Sequence, residues 1–319
     1  NRAHLMLSRV AQRVYWIGRY MERAENIARI INVNSNLLFD LPAGTRIGWK
    51  TLVEILGSES EYSDRHSVYD ERSVMKYLIA DETNNSSLIS TLVMLRENAR
   101  TTREILPTDA WESINNLCML TRSGIADGLS RKNRYHFLQE VIAISQQLNG
   151  MLSSTMSNNA AYDFIRIGRN LERADMTTRI IDMGCNNLLP HLIEDKAESD
   201  AVIQYEPILW MNILISLSAY QMYRQHMQSK VTASDVVNYL LTDIEFPRAI
   251  MHCLTQIKEC LSKLPSGNKL AKSIEVIDRK IKSQNAVSLV ESGLNEFVDD
   301  LQIDLANINN KIEAKWFLN

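Results

Sequence analysis

Residues 18–31, GRYMERAENIARII, and residues 168–181, GRNLERADMTTRII, are near copies within one chain of 319 residues. Each lies in a long run free of proline. The first run, 7–39, holds one glycine and carries the spacing of a helix of about nine turns. The second, 160–189, ends at Pro190. Aligned at an offset of 150, residues 15–31 and 165–181 are identical at nine of 17 positions, among them Gly18/Gly168, Glu22/Glu172 and Arg23/Arg173. A chain that repeats one long helix needs a fold that seats both copies.

The rest of the sequence follows the same order twice. Between the long runs, helical patterns cover 47–57, 71–81, 86–106, 109–128 and 131–156, with Pro107 breaking the chain ahead of a capped start at TDAWE. After the second run come 207–229, 233–242, 247–264, 268–283 and 287–318, with Pro247 expected at a first helical position. GWKTLVEIL (48–56) resembles LWMNILISL (209–217), and VMKYLIAD (74–81) resembles VVNYLLTD (236–243). The expectation is an all-α helical bundle of two related six-helix halves, 6–157 and 158–319, about a pseudo-two-fold axis. SSTMSNN between them is too short for a flexible linker, so the halves should pack as one fused domain.

Composition agrees and removes several functions. Glycine (11) and proline (6) are too scarce for a turn-rich β fold. A net charge of −3 gives no overall drive toward nucleic acid or an anionic membrane. No apolar run reaches the roughly 18 residues of a membrane span and no secretory leader opens the chain, so a cytoplasmic protein is expected. Residue 1 is Asn, and residues 1–5 are set aside as an expression remnant or upstream extension. Cys118, Cys185, Cys253 and Cys260 show no CxxC spacing and are expected to be buried, reduced thiols.

Projected at 100° per residue, Trp16, Ile17, Tyr20, Met21, Ala24, Ile27, Ala28, Ile30 and Ile31 share one broad face of the first long helix. Gly18, Arg19, Glu22, Glu25, Asn26 and Arg29 fall opposite, and Gly168, Arg169, Glu172, Asp175 and Arg179 repeat that strip. Such a strip is ordinarily a solvated face with ion pairs worth tenths of a kcal/mol. Here charge signs persist between copies where apolar positions diverge, as at Ile27/Thr177. Gly18 and Gly168 sit mid-helix, where glycine costs roughly 1 kcal/mol against alanine. Something must approach the backbone there. The strips form either a buried network that locks the halves together or a polar cavity whose arginines hold a carboxylate or phosphate.

Arg96, Arg100 and Arg103 make a basic stripe, expected to be solvated, to pair with Glu22 and Glu25, or to bind an anion. Glu22/Glu25 and Glu172/Asp175 have spacing usable in a di-metal bundle, but no His follows at the required step and arginines crowd the acids, so no metal is expected. The six histidines lack ligand spacing. There is no GxxxxGK[ST], GxGxxG or GxSxG, hence no motif for nucleotide binding or triad hydrolysis.

MLSRVAQRVYWIGRYMERAENIARII, LRENARTTRE (95–104) with WESINNL after it, IGRNLERADMTTRIID, and LLTDIEFPRAI (240–250) together resemble the bacterial alpha-E domain family, a helical family named for its Glu-Arg motif. The resemblance runs from Met6 to the C-terminus, with LREN departing mildly where Ala would precede the Arg. It implies a place beside circularly permuted ATP-grasp proteins and transglutaminase-like proteins, in a system that makes or modifies peptide-like amide bonds. ATP and Mg would enter through such a partner, this chain carrying no cofactor of its own. Glu22, Arg23, Glu172 and Arg173 are the positions it marks. Three functions follow as expectations: a partner subunit whose charged site meets an amino-acid or peptide substrate or the ligase itself; an enzyme using Glu22 or Glu172 as general base beside Arg19, Arg23, Arg169 or Arg173; or a purely structural interaction module.

Overall fold

The computed structural model of the chain describes residues 8–40, 48–188, 207–228 and 230–317. Residues 1–5 and the expected stop at Pro190 lie outside them, as does the side chain of Cys185. The described residues are helical with no strand, an all-α bundle. Ahead of residue 157 come α1 (Ser8–Asp40), α2 (Trp49–Ile55), α3 (Glu59–Ser63), α4 (Glu71–Met75, widening into a π-helical turn over Lys76–Ala80), α5 (Leu88–Arg100), α6 (Thr108–Ser123), α7 (Ile125–Leu129) and α8 (Arg134–Thr155). Beyond it come α9 (Ala160–Leu188), α10 (207–216), α11 (Tyr220–Met227), α12 (Ala233–Thr242), α13 (Ile250–Lys263), α14 (Asn268–Lys282), α15 (Ala286–Glu291) and α16 (Leu294–Trp316).

The two long helices form the centre. A side chain on Gly18 would overlap the carbonyl of Ile165, and one on Gly168 the carbonyl of Tyr15, so each glycine admits the other helix's backbone. From the two glycine contacts to the Arg23–Glu172 bond, partners across the contact stay 147 to 153 residues apart. A constant difference means that α1 and α9 run in the same direction, which demands a long return connection. Helices α2 to α8 supply it. Helices α5 and α8 pack on α1, and α13 and α16 on α9. Ser87 Oγ caps α5 and Thr232 Oγ1 caps α12, each accepting a backbone N–H three residues on. Leu88, Leu92, Leu95 and Ala99 are buried on α5, and Ile250, Leu254, Ile257 and Leu261 on α13. Each full burial of such an aliphatic side chain contributes roughly 1.5–3 kcal/mol.

Several expected helices are broken, so more than six segments lie on each side of residue 157. The expected 207–229 helix stops at Ser218, which takes a left-handed φ of 53°. Ser218 N donates to Ile215 O at 2.9 Å and Ala219 N to Leu214 O at 2.7 Å, a Schellman closure. Gly57, φ 68°, closes α2 in the same way through Glu54 O and Val53 O. The expected 287–318 helix is divided at Gly293, φ 93°, and 109–128 at Gly124, where a Cβ would press on the Phe137 ring. Pro107 precedes α6 without any side-chain cap. Pro247 does not open α13: Asp243 Oδ1 accepts from the N–H groups of Glu245 and Phe246, folding that segment into a turn, and the helix begins at Ile250. Among the described residues no helix is long and apolar enough to cross a membrane.

Candidate functional site

The charged strips of α1 and α9 face each other. Glu172 of α9 accepts Arg23 Nε at 2.6 Å and Nη2 at 3.1 Å, and Arg19 Nε at 2.5 Å. Glu22 of α1 accepts Arg173 Nε at 3.0 Å and Nη2 at 2.8 Å, and Arg248 Nη1 at 2.5 Å. The motif pairs therefore reciprocate: each Glu is gripped side-on by the Arg that follows the other Glu. Both carboxylates are buried, at 0% and 2% exposure, which is tolerable only because they are paired this fully.

The seam continues along α1. Arg248 Nη2 reaches Glu25 Oε1 at 2.7 Å, and its Nη1 reaches Asn26 Oδ1 at 2.9 Å. Arg29 Nη2 meets Glu25 at 2.6 Å and its Nη1 meets Ser218 Oγ at 2.5 Å. At the other end Arg19 Nη1 donates to Tyr15 Oη and Asn309 Oδ1, both at 3.1 Å, and its guanidinium lies over the Trp16 ring at 5.4 Å. Arg169, matching Arg19, donates Nη1 to Asn149 at 3.3 Å, while its Nε is buried without a partner. Arg179 pairs locally with Asp175 at 2.8 Å and lines a cavity of about 400 Å³ with Glu54, Gly57 and Asp182. Arg29 lines a cavity of about 340 Å³ with Asn32, Ser218 and Gln221.

Burial alone would raise the Glu22 carboxyl, but Arg173 and Arg248 outweigh it and hold it far below the usual range. Burial likewise opposes ionisation of Glu172, and Arg23 and Arg19 still bring it down to about 2. A general base needs a pKa near the working pH; at neutral pH these carboxylates are instead ionised acceptors with their oxygens occupied. Burial disfavours the charge on Arg169, and Arg173 adds repulsion, so its pKa is lowered.

Arg96 and Arg100 do not join the seam. The apolar positions of α5 turn toward α1, which carries the stripe away: Arg96 Nε donates to Asn115 at 2.7 Å with its guanidinium over Trp111, and exposed Arg100 pairs with Glu97 at 2.7 Å. Arg103 also lies over Trp111. The residue that sequence reasoning missed is Arg248. It belongs to no periodic helix but to the turn before α13, and its signal was a capped turn at Asp243 within LLTDIEFPRAI.

Residues 6–317 match a family model, Alpha-E, described as a predicted alpha-helical domain with a conserved ER motif. Among curated relatives, an uncharacterized protein of Mycobacterium bovis is 22% identical over 330 residues, covering 96% of this chain and 35% of that protein. Two uncharacterized proteins of Mycobacterium tuberculosis, from strains CDC 1551 and H37Rv, match at the same identity and coverage. The chain thus spans about a third of the length of these relatives. No solved structure matches it significantly.

Proposed function

The chain belongs to the Alpha-E family, and we propose that it is the helical partner of an ATP-grasp protein that forms amide or peptide bonds, its seam receiving the carboxylate of an amino-acid or peptide substrate. The carrying observation is the charge balance of the seam. Arg19, Arg23, Arg29, Arg169, Arg173 and Arg248 face Glu22, Glu25 and Glu172, so three positive charges are left over in a water-poor place, where bidentate recognition of an anion is strongest. ATP and Mg belong to the partner, which activates the carboxylate; a transglutaminase-like protein is a further candidate partner. The relatives' greater length supports a module that works alongside other domains. Recurrence of the ER pairs, the left-handed closures at Gly57 and Ser218, and eight helical segments among the described residues on each side of residue 157 support two related halves, 6–157 and 158–319, fused in one domain.

A second reading, in which the network only locks α1 to α9, draws on the full occupancy of Glu22 and Glu172. Co-expression with a circularly permuted ATP-grasp protein separates the two. The partner reading expects a stable complex and, by mass spectrometry, an amide-containing product that needs both proteins. Absence of both the complex and the dependence would refute it.

A further inference from the structure

Arg169 matches Arg19 at the offset of 150, and both donate Nη1 to an asparagine, Arg169 to Asn149 and Arg19 to Asn309. From there the two diverge. Arg19 gives its Nε to Glu172, whereas the Nε of Arg169 is shut away from water with no acceptor, and no described residue takes its Nη2. The acid that stands where Glu172 stands for Arg19 is Glu22, and Arg173 and Arg248 have already filled it. Arg248 has no equivalent in the first half, where the position 162 residues earlier is Ser86. One extra arginine on Glu22 therefore leaves one arginine without a carboxylate.

The unused edge of Arg169 is the Nε–Nη2 edge, the same edge that Arg23 turns to Glu172 and Arg173 to Glu22. Its geometry suits a carboxylate held by two parallel hydrogen bonds. A desolvated donor with no acceptor is destabilising, so a site that keeps one is incomplete rather than merely charged. The residue as a whole is only half-buried, so solvent reaches part of the side chain though not its Nε, and a ligand engages the edge only as the neighbouring side chains give way.

Taking the seam as the carboxylate receptor described above, we propose that the Nε–Nη2 edge of Arg169 binds the carboxylate of an amino acid or of a peptide C-terminus. The ligand then supplies at Arg169 the anion that Glu172 supplies at Arg19.

Thermal unfolding and calorimetry of the chain alone test this, with N-acetylglycine, glycinamide and inorganic phosphate as probes. N-acetylglycine should bind saturably and raise Tm, while glycinamide, which lacks the carboxylate, should do neither. Arg169→Met should abolish the effect, Arg169→Lys should weaken binding roughly tenfold to hundredfold by losing the fork, and the exposed control Arg100→Met should retain it. Without ligand, Arg169→Met should unfold at the wild-type temperature or above, because it removes an uncompensated buried donor. Three results would each overturn the proposal: equal Tm shifts in wild type and Arg169→Met, tighter saturation by phosphate than by N-acetylglycine, or an Arg169→Met protein several degrees less stable than wild type. Since no partner is present, failure of the co-expression experiment leaves this test untouched.

Discussion

Replacing Glu172 with Gln keeps the volume of the side chain and removes the charge that two arginines share. Its carboxyl is held at about 2 against an ordinary 4.5, a difference that corresponds to roughly 3 kcal/mol of stability at neutral pH. Removing one partner from a buried ion pair costs about 3–5 kcal/mol by a separate route, so the expected loss is about 3 kcal/mol. Because the folded value lies below the unfolded one, the unfolded chain takes up the proton first as the solution is acidified. The stabilisation is complete above pH 4.5 and disappears as pH falls toward 2. Urea denaturation of wild type and Glu172→Gln, followed by far-UV circular dichroism across that range, should give a constant gap above pH 4.5 that closes below it. A gap under about 1 kcal/mol at pH 7 would refute the buried lock, and so would a gap that widens on acidification, since that requires a raised carboxyl.

Gly18→Ala should destabilise by about 1–3 kcal/mol despite alanine's better helix propensity, because the new methyl meets the Ile165 carbonyl; a higher Tm would contradict the close approach of α1 and α9. Arg248→Met should cost about 3 kcal/mol, read from the urea midpoint, since it strips a donor from both Glu22 and Glu25. Arg100→Ala should leave that midpoint where it was, its pair with Glu97 being exposed. Burial pushes the thiols of Cys253 and Cys260 up to about 12, so iodoacetamide at neutral pH should label them only after unfolding; rapid labelling of the native protein, located by peptide mass mapping, would show the core to be open.

What the sequence disclosed was whatever one helix expresses by itself. Periodicity placed α12 at its observed ends and α9 at its observed start, and a glycine amid the charged strip announced a close backbone approach. The burial of Glu22 and Glu172 was not readable in the same way, because a charged strip facing solvent and one facing a second charged strip have the same pattern; only the partner distinguishes them. Helix breaks divide along the same line. Gly293 interrupts its pattern with the residue suited to a positive φ, whereas Ser218 adopts a positive φ in a sequence that offers no such sign. Arg248 escaped because it is placed by a side-chain-capped turn, and turns carry no period.

The departures from symmetry point more directly at function than the repeat does. A seam built only to lock two helices would be best served by equal numbers of acids and bases in both halves, as in the reciprocal grip of Arg23 on Glu172 and Arg173 on Glu22. Instead Arg248 is folded in by the Asp243 turn, Glu22 is taken up by it, and Arg169 is left without a carboxylate, its Nε buried and unpartnered. A protein carboxylate at Arg169 would remove an unpaired buried donor. Arg169 stands unneutralised in a seam whose other guanidiniums are paired, and that imbalance is what a carboxylate arriving from outside would correct.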